Sequence, residues 1–225
     1  MANNFLLDFL FPKRCVSCGR IGSYICRECF SKIEYVEKPI CPICQRQAIG
    51  GKTHPGCRNK YSLDGLVVAC RYQGAVKRAI GKVKYKWVYD IGKILTDLLV
   101  GNLWRFDLPS EIILVPIPLH AKREKWRGFN QAKILGEALS KRFNQPYFEV
   151  LFRSRDTKSQ VGLKKKDRLE NIKGAFGLVK GVDIIDKNFA LVDDVYTSGA
   201  TMQEACRVLK KAGAKRVWAI AVALG

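Results

Sequence analysis

The sequence predicts an α/β protein, a parallel, doubly wound sheet with helices on both faces, preceded by a small cysteine-rich module. Three observations carry this expectation. From Tyr61 onward, short apolar runs alternate with amphipathic helical patterns, the order that builds parallel sheets. The runs are continuously apolar rather than alternating, as expected of strands buried on both faces. Seven of the nine cysteines fall within the first 57 residues, in pairs at metal-ligand spacing. The change of composition after residue 60 divides the chain into a module at 1–60 and an α/β domain at 61–225.

The opening stretch, MANNFLLDFLFPKRC, has a short apolar patch but neither a basic leader nor a small-residue cleavage site. It does not read as a secretory signal and is expected to pack on the adjoining module. Cys15, Cys18, Cys26 and Cys29 then form two Cys-x2-Cys knuckles, a set of four soft ligands that suits a closed, structural Zn²⁺ site. Cys41 and Cys44 repeat the theme with His54 and Cys57. Lys60 stands where a further Cys-x2-Cys knuckle would place its second cysteine, which leaves His54 as the fourth ligand. The other reading of His54 is a surface loop residue beside Pro55. Two structural zinc ions would thus fold residues 13–60, a stretch too short and polar to build a large core. Cys70 and Cys206 are isolated, and Cys206 lies on an apolar helical face, so both are expected in the core. Reduced, metal-bound thiols and no export signal point to the cytoplasm.

Within the larger part, Leu66–Ala69 reads as a strand and Gly74–Lys86 as a helix with Val76, Ala79, Ile80 and Val83 on one face. Asp90–Leu103 is a second amphipathic helix with Asp90 as candidate N-cap. Glu111–Pro118 is a buried strand, Gln131–Phe143 a helix capped by Asn130, and Phe189–Asp193 and Arg216–Ala223 complete the strands. A helix over 202–212 follows the third strand, with Gly213 as its stop. No run of 18 apolar residues exists, so no transmembrane segment is expected.

An apolar content of 48% supports a genuine core and excludes global disorder. The formal charge of +20 falls only to about +17 once seven thiolates and two zinc ions are counted. Its lysines and arginines gather in 71–86, 122–127 and 153–173, a field that attracts nucleic acid or polyphosphate metabolites.

The stretch Phe189–Thr201, FALVDDVYTSGAT, carries the chemistry. An apolar strand is expected to end at Asp193 and Asp194, followed by Thr197, Ser198, Gly199, Ala200 and Thr201 and then the helix. Backbone N–H groups at that helix start, with the hydroxyls, can cradle a phosphate dianion, and Gly199 allows close approach or positive φ. Two carboxylates at a C-terminal strand end can accept hydrogen bonds from ribose hydroxyls. Residues 115–131, expected as a loop, bring Lys122, Arg123, Lys125 and Arg127, which can complement a pyrophosphate, Arg127 bidentately. His120 reads as positional rather than as an acid or base. Arg153–Phe176 is a long basic segment with the look of a closing lid, in which Arg153, Arg155, Gln160 and Arg168 are the residues of interest. Tyr72, Tyr85 and Trp87 could stack on bases or belong to the core. Since the last strand is followed only by Gly225, an acceptor pocket is expected among residues before about 112.

The run 189–201 resembles the phosphoribosyl-pyrophosphate (PRPP) motif of type I phosphoribosyltransferases: apolar strand, two acids, then a T-[ST]-G-x-T phosphate loop. The whole chain resembles the ComF family, through the N-terminal knuckles, CPIC at 41–44, VPIPLHAKREKWRGFNQA at 115–132, RSRDTKSQVGL at 153–163, RLENIKGAF at 168–176 and LVDDVYTSGAT at 191–201. That resemblance implies a type I phosphoribosyltransferase-like sheet with a zinc-ribbon-like module, and PRPP bound with Mg²⁺. It also implies handling of single-stranded DNA during natural transformation, alongside DNA-uptake proteins. Asp193, Asp194 and Arg127 would then be catalytic, with residues 197–201, Lys122 and Arg123 holding the sugar phosphate. Three outcomes stay open: transfer of phosphoribose to an unknown acceptor, a non-catalytic PRPP-sensing and DNA-binding module, or a metabolic transferase of nucleotide salvage.

Overall fold

The computed structural model describes residues 12–82, 88–157 and 165–225. Four parallel strands, β1 (Gly65–Arg71), β2 (Ile113–Pro116), β5 (Asn188–Tyr196) and β6 (Arg216–Leu224), form one sheet in the order β1-β6-β5-β2. Two short strands, β3 (Leu151–Arg153) and β4 (Phe176–Leu178), pair antiparallel beside it. The helices are α1 (Arg27–Phe30), α2 (Gly74–Lys82), α3 (Val88–Val100), α4 (Ala121–Arg127), α5 (Gln131–Phe143), α6 (Lys165–Ile172) and α7 (Ala200–Lys211).

Successive strand residues point to opposite faces, and the apolar runs use this to build two cores. One core joins Val67, Ala69, Ala190, Val192 and Ile220 to Ile80, Leu95 and Leu99 of α2 and α3 and Leu135 and Leu139 of α5. The other joins Leu66, Val68, Leu191 and Ala221 to Met202, Ala205, Cys206 and Leu209 of α7. Cys70 and Cys206 are fully buried, as the sequence led one to expect.

The cysteine module is distributed over both cores. Val16, Tyr24, Ile25 and Ile33 join the first, Val36 and Ile40 the second. Its chain also covers the outer edge of β1: Val36 N–H donates to Ala69 O at 2.8 Å and Arg71 N–H to Glu34 O at 2.8 Å. An otherwise bare strand edge is thereby satisfied.

Several expected boundaries shift. α5 spans the expected residues, and Asn130 caps it by accepting from Ala132 N–H. α3 begins at Val88, so Asp90 lies in its first turn instead of capping it. β2 is shorter than expected: the Ile117 N–H to Val192 O bond closes its ladder at the Pro116↔Val192 pair, and Pro118 has no N–H to continue it. α2 is described as far as Lys82; the remainder of its expected span, with Tyr85 and Trp87, lies outside the described residues. So does the apolar patch at 1–11. Among the described residues no helix is long and apolar enough to cross a membrane.

Candidate functional site

β5 does not stop at the acidic pair. It runs on to Tyr196, because β6 stays alongside as far as Tyr196↔Leu224. What ends early is β2, whose last ladder partner is Val192. Asp193 and Asp194 therefore emerge on a rigid strand exactly where one neighbour has left, which opens a crevice at the C-terminal edge of the sheet. As adjacent strand residues they face opposite sides.

Both acids keep part of their surface in solvent, yet protein crowds them. Desolvation pushes the Asp193 carboxyl well above the usual carboxylate range, and the charge of Asp194 adds to this; Arg153 pulls the other way. Asp194 is also raised by burial, against the hydrogen bond from Asp193 and the charge of Arg127. The Asp194 N–H donates to Asp193 Oδ1 at 2.9 Å, which fixes one carboxylate against the strand. The nearest opposing charge differs for the two acids, Arg153 acting on Asp193 and Arg127 on Asp194.

The loop 197–199 follows. Gly199 stands at φ 76° as the N-cap of α7, and a Cβ there would run into the Tyr196 hydroxyl. Both facts demand glycine. No side chain of the cap residue bonds the helix start, and the first turn holds no acid. Ser198 Oγ accepts from Ala200 N–H at 3.4 Å, and Thr197 and Ser198 are half-buried. A helix N-terminus, two hydroxyls and a left-handed glycine are together the chemistry that receives a phosphate group.

The stretch expected as a loop after β2 contains a helix, α4. His120 is its N-cap, accepting from Lys122 N–H, and Gly128 at φ 79° closes it. The alternation of cap, KREKWR and glycine was a legible helix signal. Winding sorts the basic residues. Arg123 and Arg127, four apart, share the half-buried face, while Lys122, Lys125 and Trp126 are exposed. Arg123 Nε lies 3.2 Å from Asp156 Oδ1, and its Nη2 donates to Thr157 O. Arg127 Nη1 donates to Gln131 Oε1 at 3.3 Å. Of the expected pyrophosphate ligands, Arg127 is near enough for its charge to act on Asp194, Arg123 pairs with Asp156, and Lys122 is exposed.

The expected lid is part core and part site. Ile172, Ala175 and Phe176 are buried in the α7 core, and Arg155 donates to Lys173 O at 2.5 Å. Gln160 and Lys164 lie outside the described residues. Arg153 is held above the Phe176 ring, 5.6 Å from its centroid, and donates to Thr157 Oγ1. Its Nε is buried with no hydrogen-bond partner among the described residues. Burial and then Arg123 lower its pKa, while Asp193 raises it. An unsatisfied guanidinium N–H beside a carboxylate calls for an anion or a polar ligand. Its placement depends on the β3–β4 pairing, which no local pattern announced.

The eight metal-ligand candidates form the two expected clusters. Within Cys15, Cys18, Cys26 and Cys29, and within Cys41, Cys44, His54 and Cys57, all ligand atoms lie within 4.8 Å of one another. Cys18 and Cys26 Sγ are 3.6 Å apart, and Cys44 Sγ and His54 Nδ1 3.3 Å. Tetrahedral zinc with bonds of about 2.3 Å spaces its sulfurs at roughly 3.8 Å, so the clusters fit the ion. His54 offers Nδ1, and its Nε2 sits 2.9 Å from Gln47 O, the outer bond that fixes a metal-binding imidazole. His54 thus stands within the second cluster, where a fourth ligand is needed.

Sequence comparison agrees with this geometry. A double zinc ribbon domain matches residues 6–59, and a phosphoribosyl transferase domain matches residues 131–224. The DNA utilization protein YhgH of Escherichia coli K12 is 30% identical, over 87% of this chain and 89% of its own. The chain belongs to the ComF family. Competence protein F of Haemophilus influenzae is 29% identical over 88% of this chain and 97% of its own. Competence protein ComFC of Bacillus subtilis is 28% identical over 84% and 79%. The ComF chain is thus a phosphoribosyltransferase-type parallel sheet with an N-terminal zinc-ribbon-like module. The transferase match begins at Gln131, so α4 and its arginines lie upstream of it.

Structure adds two residues that the sequence left unnoticed. Trp126 is 83% exposed on the basic face of α4, and Trp104 is 84% exposed beside Arg105. Tyr72, a stacking candidate, is instead half-buried: burial and then Asp194 raise its hydroxyl pKa.

Proposed function

We propose that this protein binds PRPP with Mg²⁺ and handles single-stranded DNA during natural transformation, in the cytoplasm and alongside DNA-uptake proteins. The observation that carries the sugar-phosphate half is the crevice beyond β2. Two desolvated carboxylates there adjoin a glycine-capped helix start, and the charges of Arg127 and Arg153 act on them. The 5′-phosphate would rest on Thr197–Thr201, and Asp193 and Asp194 would accept from the ribose hydroxyls. Mg²⁺ would supply charge neutralisation between the carboxylates and the pyrophosphate. Arg123, Arg127 and Arg153 would face the pyrophosphate, where charge builds as the C1–O bond breaks. No protein nucleophile is needed for such a transfer, which rests on position and field.

The DNA half is supported by the +20 charge and by the names of the relatives, competence and DNA utilization proteins. Trp126 among Lys122, Lys125 and Arg127 has the composition of a base-stacking platform on a phosphate-binding stripe. This platform also favours a second reading, a non-catalytic module that senses PRPP while holding DNA. Nucleotide salvage has no feature of its own in its favour.

One experiment separates these readings. The protein is incubated with PRPP, Mg²⁺ and a panel of nucleobases. Pyrophosphate release that vanishes in the Asp193→Asn, Asp194→Asn double variant supports transfer. PRPP binding without turnover supports the sensing module, and no PRPP binding at all removes the proposal.

A further inference from the structure

The second metal cluster touches the phosphate loop. Tyr196, 1% exposed, donates its hydroxyl to Pro42 O at 2.7 Å. That same hydroxyl stands where a Cβ on Gly199 would have to lie. Gln45 donates Nε2 to Thr197 O at 2.8 Å. Both partners belong to the knuckle turn. Pro42 follows the fully buried Cys41, and Gln45 follows Cys44 and is held at φ 58° with its N–H on Cys41 O at 2.9 Å. A left-handed glutamine is tolerated only where its surroundings define it, and here the definition comes from ligands on either side. The Cys15 cluster packs with the opposite core, where Arg78 donates to Ser17 O at 2.8 Å.

We infer that the Cys41 knuckle positions the phosphate loop through Tyr196 and Gln45, so that metal at this cluster, and not at Cys15, is linked to sugar-phosphate affinity. The inference rests on the PRPP reading above. Two contacts, 152 and 154 residues apart in sequence, transmit the knuckle's shape to Thr197 and Gly199. Ordering the turn with metal spares PRPP part of the entropy of ordering the loop, and the linkage is reciprocal by necessity. Tyr196 and Gln45 are positioning residues; neither needs to touch the ligand.

The test uses the full chain loaded with cobalt(II), whose spectra distinguish a four-thiolate site from a three-thiolate, one-imidazole site. Tyr196→Phe and Gln45→Ala leave all eight ligands in place. Amide exchange across 197–203 should quicken in both variants without any ligand. PRPP affinity should fall roughly tenfold in Tyr196→Phe, which loses a buried hydrogen bond, and a few-fold in Gln45→Ala, whose bond is exposed. In the parent protein, saturating PRPP should tighten metal at the mixed site against a competing chelator and leave the four-thiolate site unmoved. A purely structural role would not produce that site-selective shift. If the parent binds PRPP but the variants bind it equally well, with both metal sites indifferent to it, the inference is overturned and the site reading stands. If the parent ignores PRPP, both fall together.

Discussion

At Asp193 and Asp194 the structure sets function against stability. Each carboxyl is raised, so the fold favours the protonated form. A carboxylate with a raised native pKa contributes stability below its unfolded value, about 4, and loses it as pH climbs through the shifted value. In the ligand-free protein, Asp193→Asn should therefore raise the melting temperature at pH 7 by a few degrees, about 1 kcal/mol, while abolishing PRPP binding. Differential scanning of the variant against the parent from pH 4 to 8 reads this directly, with the gap widening as pH rises. Binding has the same origin: PRPP–Mg²⁺ affinity should fall on acidification at a higher pH than ordinary carboxylates would give, measured by calorimetry. Gly199→Ala offers an independent check. Positive φ and the Tyr196 hydroxyl both oppose it, so it should cost about 1–3 kcal/mol in denaturant unfolding and weaken PRPP binding.

Among elements, α4 was the least visible and is the most consequential. Its arginines were legible as anion ligands, but a loop reading could not divide them from Trp126, because the division exists only once the segment winds. Trp126→Ala should weaken single-strand binding by about 1–3 kcal/mol with no change in PRPP affinity. Lys125→Ala should instead lower the salt dependence of binding by about one counterion, seen in anisotropy titrations across salt. The strands and α5 were readable since continuous apolar runs and an Asn cap are local signals. The extension of β5 past its acids was not, since it depends on β6 remaining alongside. Arg153 was singled out as a residue of a closing lid; its place over the Phe176 ring follows from a pairing between Leu151–Arg153 and Phe176–Leu178.

For the molecule as a whole, the metal module is woven into both cores rather than appended. Residues 1–60 were read as a separate domain; we propose that they keep that boundary along the chain, seal the edge of β1, and melt together with the sheet. Stripping metal with a strong chelator should then lower the melting temperature of the whole chain, not of a separate transition, because Val16 and Tyr24 support one core while Val36 and Ile40 support the other. Calorimetry resolving two independent transitions would argue against that integration. The knuckle spacings made the ligands readable from sequence. Which core each knuckle joins was not readable, since no local pattern records contacts between residues 42 and 196.

The sheet order has a consequence for synthesis. β6 comes last among the strands, yet it lies between β1 and β5. Until Arg216–Leu224 leaves the ribosome, the two flanking strands of a nascent chain have no shared partner, and their amides remain hydrated and exposed. Translation thus hands over an unfinished body, which only the last strand can zip shut, and a stalled chain would present bare edges for chaperones to shield.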